Sequence, residues 1–447
     1  VNTIATDKRT VIVGLGQTGL SCARFLRDQQ RTFILMDDRQ APPNIADISQ
    51  EFGDYPIVLG QLDSSVLNTA SEIFLSPGVA LSRPEIQEAI ASGAKVRGDI
   101  DLFSELANAP VIAITGSNGK SSVTTLVGEM ARKNGTRVAI GGNIGVPALS
   151  LLSDEVELYV LELSSFQLET TEKLNATAVT LLNISEDHMD RYPSKMAYLQ
   201  AKQRIFFGAN TVVINDDEAL SQPMMRSDMR LIHYGLNGQD LNKFSVSDGQ
   251  GEAYLTKGFD QLLSVAELGV KGRHNVSNTL AALALGSAVG LRMNAMLDAA
   301  KEFKGLAHRC ESVRTVNDVD YVNDSKGTNA GASIVAISSF GCQARGKVLL
   351  IAGGEAKGAD LSPLSQPMAK YGRAAIVFGR DANVVADALA GVVDVKRVNT
   401  LQEAVSVAHA DAQEGDVVLF SPACASFDMF ENFEQRGRLF CDEVRAL

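Results

Sequence analysis

Directly after the apolar run Val111–Ile114 the chain reads Thr115-Gly116-Ser117-Asn118-Gly119-Lys120-Ser121-Ser122. A Gly-rich turn between a strand and a helix lets backbone N–H groups approach phosphate oxygens. The lysine of such a turn reaches the terminal phosphates, and the hydroxyl after it can sit on Mg²⁺. The usual loop of this kind has four residues between its first Gly and Gly-Lys; here two, Ser117 and Asn118, separate them. The segment is read as a nucleotide site, against the plainer reading of a tight strand–helix turn.

A second Gly-rich turn, Gly14-Leu15-Gly16-Gln17-Thr18-Gly19, precedes Asp37 by eighteen residues counted from Gly19. By itself this is a dinucleotide-binding pattern with an acid for ribose hydroxyls. Arg39 suits a ligand bearing phosphate or a uracil ring equally well, and an ordinary βαβ turn is the bland alternative. Glu162 and His188 stand at the ends of successive apolar runs, with Lys202 shortly after. A carboxylate near the Lys120 loop fits Mg²⁺, which prefers oxygen ligands, whereas His188 is as well read as a structural group. Arg309 and Lys326 bring positive charge that could stabilise phosphoryl transfer. Asp324 could hold a ribose hydroxyl. Asn278, at the opening of a long apolar helix, is either an N-cap or an adenine contact.

The elements that must position these groups repeat one pattern: a short β-branched run, a Gly-rich turn, then a helix. It opens at Thr10–Gly19, Val111–Ser122 and Lys347–Gly358. Other apolar runs end abruptly in polar residues: Leu158–Ser165, Val179–His188, Thr211–Asp217, Ala375–Asp381 and Val417–Ser426. Continuous apolar strands alternating with helices predict parallel sheets covered on both faces, with ligands beyond the strands' carboxyl ends. At roughly 150 residues per domain, 447 residues predict about three α/β domains, with boundaries near Gly98 and Gly305. The segment Leu231–Leu268 is expected to add a few antiparallel strands.

A net charge of −12 gives no basic footprint for nucleic acid or an anionic membrane. Five Cys at irregular spacing without a CxxC pair read as buried thiols of a reducing compartment. Val1–Thr10 has no apolar core of a leader, and Thr279–Leu291 is too short to span a bilayer and reads as a packed helix. A cytoplasmic location is expected.

Together, TGSNGKSS, LELSSFQLE, NISEDHMDRYP, AKQRI, GRHNVSN, GLAHRCE, NDSKGTN and SPACASFDMFENFEQRG resemble the Mur ligases of peptidoglycan synthesis, in order along essentially the whole chain. GLGQTG, NDSKGTN and the last segment resemble the D-glutamate-adding branch. The resemblance implies a Rossmann-like N-terminal domain (1–98) holding a uridine nucleotide, a central P-loop ATPase-like domain with a parallel sheet (99–305), and a Rossmann-like C-terminal domain (306–447). It implies ATP and two Mg²⁺ sites, with UDP-N-acetylmuramoyl-L-alanine and D-glutamate as substrates of a monomer. It assigns Leu15, Gln17, Thr18, Asp37, Arg39 and Asn143 to the UDP-substrate. Gly116, Ser117, Asn118, Gly119, Lys120, Ser121, Ser122, Asn278, Arg309 and Asp324 go to ATP, and Lys326, Thr328, Lys357, Ser426, Phe427 and Phe433 to D-glutamate. Ser121, Glu162, His188 and Lys202 are implied metal ligands, Lys202 as an N-carbamate. Lys120, His188, Lys202 and Arg309 are implied to be catalytic, acting through an acyl phosphate. Gly327 stands where Ala is usual in the family, and Glu355-Ala356 replaces Asp-Gly. Ligands drawn from three domains imply closure, with hinges expected near Gly98 and Gly305.

Two other classes remain to be weighed. An NAD-dependent oxidoreductase would use GLGQTG and Asp37 but leaves the Gly-Lys-Ser loop without purpose. A nucleotide-dependent switch would use that loop without ligase chemistry. Folate polyglutamate ligases share the central ATPase, but the N-terminal turn and SPACASFDMF argue against them.

Overall fold

The computed structural model describes residues 9–43, 45–223, 229–249, 251–342 and 344–447. Residues 1–8, on which most of the leader reading rests, lie outside the described residues. The β-branched runs become strands with little or no exposure; Val11, Ile12 and Val13, and likewise Ile112, Ala113 and Ile114, are wholly buried. Strands covered on both faces need apolar side chains at every position, which is why these runs do not alternate.

Three sheets result. In the first, β1 (Arg9–Val13), β2 (Ile34–Asp37), β3 (Ile57–Leu59), β4 (Ala70–Leu75) and β5 (Lys95–Arg97) lie parallel in the order β3-β2-β1-β4-β5. The second contains β6 (Val111–Thr115), β7 (Val138–Gly142), β8 (Leu158–Glu162), β9 (Ala178–Leu181), β10 (Thr211–Asn215), β11 (Arg230–Tyr234), β12 (Lys243–Gly249), β13 (Glu252–Lys257) and β14 (Asp260–Ser264). Their order is β14-β13-β12-β11-β10-β9-β6-β8-β7, and β12, β13 and β14 form the expected antiparallel extension. In the third, β15 (Glu311–Val316), β16 (Val319–Asn323), β17 (Val348–Gly353), β18 (Gly372–Phe378), β19 (Asp394–Arg397) and β20 (Val417–Phe420) run β15-β16-β20-β17-β18-β19, with β15 antiparallel and the rest parallel. The first sheet reverses its winding between β1 and β4, and crevices at such reversals, beyond the strand ends, are where open α/β sheets bind ligands.

The first two sheets share one apolar core. Ile12, Leu20, Leu35 and Phe74 of the first cluster with Ile100 and Phe103 of the helix Asp99–Leu106 and with Val111, Tyr159 and Leu161 of the second. Gly98 is buried, and a side chain there would collide with the Thr170 hydroxyl. A hinge at Gly98, as expected from the sequence, would have to work against that shared packing. The apolar clusters of the third sheet draw only on its own unit. Among the described residues no apolar cluster joins it to the central unit, and polar contacts cross between them, for example His274 Nδ1 with Ser339 Oγ at 3.0 Å. Gly305, at φ +83°, lies in the connection between these two units.

The helix Arg273–Ala288 starts after Gly272, at φ +100°, so Asn278 lies inside it rather than capping it. Leu280 through Leu285 are wholly buried, because this helix packs centrally against the second sheet and the helix Lys120–Asn134. No helix of the described residues is long and apolar enough to cross a membrane. Cys22, Cys424 and Cys441 are buried thiols as expected, but Cys310 is only half-buried and Cys342 is exposed.

Asp99, at the seam between the first two sheets, is 1% exposed, and neither carboxylate oxygen has a hydrogen bond of full geometry, although the Ile100 and Asp99 N–H groups and the Gln167 side chain lie close enough to offset part of the burial. Burial raises its pKa from 3.8 to about 7. Between those values the folded chain keeps a proton that the unfolded chain has lost, so stability falls as pH rises through the window. The full loss above it is on the order of 4 kcal/mol. Asp99→Asn is expected to melt higher than wild type near pH 8, with a smaller advantage near pH 5. Parallel melting curves across pH would show that the carboxyl is solvated after all.

Candidate active site

The loop between β6 and the helix Lys120–Asn134 is stitched to the segment after β9. Ser117 N donates to Asn183 O at 2.9 Å, and Asn118 exchanges bonds with the Asn183 side chain at 2.9 and 3.0 Å. The Ser117 hydroxyl donates to Ser185 O and accepts from Ser185 N. Gly119 sits at φ +84°, and a Cβ there would lie 2.6 Å from Asn278 Oδ1. Both facts demand glycine. Lys120 Nζ donates to Gly116 O and Ser117 O at 2.8 and 2.9 Å.

Beside this loop a chain of polar contacts crosses from the third unit. Arg309 NH2 donates to Ser121 Oγ at 2.6 Å, Ser121 Oγ donates to Glu162 Oε2 at 2.5 Å, and Asn143 Nδ2 donates to Glu162 Oε1 at 2.7 Å. Burial pushes the Glu162 carboxyl toward protonation, but Lys120, Ser121, Asn143 and Arg309 together outweigh it and hold the pKa low. Burial depresses Lys120 and Arg309 in turn, with Glu162 opposing the shift in both. Asn329 closes a second bridge: its Nδ2 donates to Asp187 Oδ2 at 3.0 Å and to Asn118 Oδ1 at 3.3 Å.

These groups line a cavity of about 430 Å³. Of the residues expected to bind ATP, Ser117, Asn118, Gly119, Lys120, Ser121 and Arg309 are on its wall, while Gly116, Ser122, Asn278 and Asp324 are not. Asp324 turns inward, accepting from Cys310 N and the Ser421 hydroxyl, and burial raises it to about 6. The whole set expected around the amino acid, Lys326, Thr328, Lys357, Ser426, Phe427 and Phe433, lines the same cavity. Lys326 Nζ stands 4.0 Å over the Phe433 ring, and burial lowers its pKa to about 8.

His188 and Lys202 are also on this wall. His188 has φ +58° and packs edge-on against Phe166 at 4.7 Å; burial lowers its pKa, with the neighbouring Asp187 opposing. Lys202 is 1% exposed, with Nζ 3.3 Å from Thr115 Oγ1. Burial drives its pKa well down, helped by Lys120, which favours the neutral amine over the ammonium.

Whether this donor set suits Mg²⁺ divides in two. Among the described residues no group of three or more His, Cys, Asp and Glu could hold a metal by itself. The Ser121 hydroxyl and Glu162 carboxylate are adjacent oxygen donors beside the phosphate loop, as fits a cation that takes one or two carboxylates and completes its shell with phosphate and water. His188 and an unmodified Lys202 offer only nitrogen and do not fit a hard cation.

A second cleft, about 690 Å³, opens where the first sheet reverses its winding. Gln17, Thr18, Asp37, Arg39 and Asn143 line it. Leu15 does not: its side chain is wholly buried, and its N–H donates to Asp37 Oδ2 at 2.7 Å. Asp37 is further occupied by Arg39, through the backbone N–H and a two-pronged guanidinium contact. Its carboxylate therefore shapes the turn and aims Arg39 rather than standing free for a ribose. Arg191 NH1 donates to Pro77 O at 2.7 Å, tying this cleft's wall to the His188 segment. Asn143 lines both cavities. A larger void of about 1170 Å³ near Leu81, Phe206 and Phe207 holds none of the expected site residues.

Sequence reading missed Asn183, Ser185, Asp187 and Asn329. All lie inside NISEDHMDRYP or NDSKGTN, so the segments carried the signal but not the individual roles.

A fold of three α/β units with a phosphate loop facing Arg309, Lys326 and Lys357 of the third unit matches one group of proteins along its length. The Mur ligase MurD-like N-terminal domain matches residues 8–98, the Mur ligase middle domain 114–286, and the Mur ligase glutamate ligase domain 308–424. The chain belongs to the Mur ligase family. A UDP-N-acetylmuramoylalanine–D-glutamate ligase of Marinobacter nauticus is 52% identical over 447 residues, all of both chains. The enzyme of that name from Pseudomonas aeruginosa is 50% identical over 444 residues, 99% of each. Among solved structures, MurF of Acinetobacter baumannii superposes with a TM-score of 0.62 at 15% identity, covering 98% of this chain and 93% of that one. UDP-N-acetylmuramate–alanine ligase of Thermotoga maritima gives 0.58 at 18%, covering 98% and 99%. These two likenesses are of fold.

Lys120→Ala is expected to lower turnover by about a hundredfold or more, the usual cost of removing one preorganised charge-stabilising group, in a protein that still melts cooperatively. Wild-type turnover in the variant would remove Lys120 from the reaction.

Proposed function

We propose that the chain is an ATP-dependent ligase that adds D-glutamate to UDP-N-acetylmuramoyl-L-alanine in peptidoglycan precursor synthesis. The observation that carries this reading is Asn143. It lines both the cleft at the first sheet and the cavity holding the phosphate loop. A nucleotide-sugar lying in the cleft presents its far, carboxylate end at Asn143, next to Glu162 and Lys120.

In the first step an oxygen of the L-alanyl carboxylate attacks the γ-phosphorus of ATP, and ADP leaves with the bridging oxygen. Lys120 and Arg309 neutralise the charge that spreads over the transferring group, and the stitched loop holds it in line. Mg²⁺ at Ser121 and Glu162 would supply further neutralisation of the phosphate oxygens. In the second step the neutral amine of D-glutamate attacks the acyl phosphate carbon. The tetrahedral adduct expels inorganic phosphate, and the amine's proton is lost to a base. His188, kept neutral by burial, is in position to take it. Lys326, Lys357, Thr328 and Ser426 offer cationic and hydroxyl partners to the two carboxylates of the amino acid.

Lys202 belongs to this reading as an N-carbamate. A neutral amine is the form that adds to CO₂, and the product exchanges a nitrogen for carboxylate-like oxygens, giving a second Mg²⁺ the donors that His188 and lysine lack. ATP and UDP-linked sugars are cytoplasmic metabolites, and the reading places the enzyme there as a monomer whose site is complete within one chain.

Phosphate release is expected only when ATP, Mg²⁺, UDP-N-acetylmuramoyl-L-alanine and D-glutamate are all present, with L-glutamate and other amino acids inert. Release without the amino acid, or equal release with L-glutamate, would sink the assignment. For Lys202, ¹³C-bicarbonate is expected to give a carbamate carbonyl resonance that Lys202→Arg lacks. Identical spectra from the two proteins would leave lysine unmodified.

A further inference from the structure

The site described so far leaves one charged side chain unexplained. Arg436, in the helix Phe433–Ala446, is wholly buried and is the largest such side chain among the described residues. Its partners are carbonyl and hydroxyl oxygens. Nε donates to Ser325 Oγ at 3.1 Å, and NH2 to Ser325 O at 2.7 Å and Cys424 O at 3.3 Å. NH1 donates to Cys424 O and Ala425 O, both at 3.2 Å.

Those oxygens belong to loops that follow two neighbouring strands of the third sheet, β16 and β20. The first loop continues into Lys326 and Thr328, the second into Ser426 and Phe427. A third loop, after β17, rests on the same point. A Cβ on Gly354 would lie 3.3 Å from Arg436 NH1 and would collide with Ala425 O. Glu355 and Ala425 exchange backbone hydrogen bonds at 3.0 and 2.8 Å, two residues before Lys357. The Ser325 hydroxyl, while accepting from Arg436, donates to Phe433 O at 2.9 Å. Two loops of the amino-acid pocket are thus bonded to one guanidinium, and the third leans on it and on Ala425.

We infer that Arg436 is a positioning residue that sets the D-glutamate pocket, by fastening the two loops that carry Lys326, Thr328, Ser426 and Phe427 and, through Ala425, the loop that carries Lys357. The inference rests on the proposed substrate and deepens it. Arg436 touches no reacting atom. Only arginine can hold both loops at once, because its five N–H donors lie in a rigid planar fork, whereas lysine has three on a flexible stem and reaches one point. Loop carbonyls that converge without a donor would repel one another and turn outward, carrying the pocket side chains with them.

The test is steady-state kinetics of full-length Arg436→Lys, Arg436→Ala and Ser325→Ala. Arg436→Lys is expected to raise the KM for D-glutamate about tenfold or more, with the KM for ATP and for UDP-N-acetylmuramoyl-L-alanine within about twofold of wild type. Guanidinium ion at millimolar level is expected to restore part of the D-glutamate affinity in Arg436→Ala, and methylammonium to restore none. An unchanged KM for D-glutamate, or an equal rise in all three KM values, would overturn the inference. Should Arg436→Lys lose its cooperative melt, Ser325→Ala decides: a rise confined to D-glutamate supports the role, and unaltered kinetics end it. Wild-type turnover with a different amino acid would overturn the substrate assignment instead, and the same split read on that amino acid would then decide Arg436.

Discussion

Glu162 carries its charge at the end of β8 in surroundings that would by themselves protonate it. It stays ionised because Lys120, Ser121, Asn143 and Arg309 converge on it. The partners arrive from three parts of the chain: Lys120 and Ser121 from the phosphate loop, Asn143 from the turn after β7, and Arg309 from the entrance to the third unit. The carboxylate needs those partners, and Lys120 and Arg309, themselves half-buried and depressed by desolvation, need the carboxylate. Removing a member of such a buried set leaves the others uncompensated, which costs more than the pair contact itself. The loops and strand ends around it, down to the stitching of Ser117 and Asn118 onto Asn183 and Ser185, serve to keep that convergence in register.

The two seams between units are built from different materials. Across the first, apolar side chains of both sheets pack into one cluster, with Gly98 wedged against Thr170. Across the second, contact is made by amides, hydroxyls and charges: Asn329 with Asn118 and Asp187, and Arg309 with Ser121. Polar contacts exchange with water at small net cost, whereas opening an apolar core exposes area that water penalises. By these contacts the first seam is costlier to open than the second.

Local features were legible in the sequence. The Gly-Lys-Ser loop and the strand ends are written in consecutive residues, and all six residues expected around the amino acid face one cavity. What escaped depends on tertiary placement. Asn118 and Asn329 meet across 211 positions, and no periodicity announces such a pair. Asn278 reads as an N-cap in the sequence because the helix's actual start uses Gly272, which leaves no side-chain cap to recognise. Leu15 and Asp37 sit in a motif whose usual reading is a ligand contact, yet one fills the core and the other is consumed by Arg39. The depressed Lys202 and the raised Asp99 owe their shifts chiefly to burial, which no run of residues announces.

The shared core across Gly98 also bears on how the chain acquires its structure. A single cluster that joins the first sheet to the second means that neither can complete its interior without the other. Three topological units thus amount to two cooperative ones: a large amino-terminal body whose halves condense together, and a carboxyl-terminal body with interiors of its own. During synthesis the first sheet emerges early but must wait for Val111, Tyr159 and Leu161 before its exposed apolar face is covered.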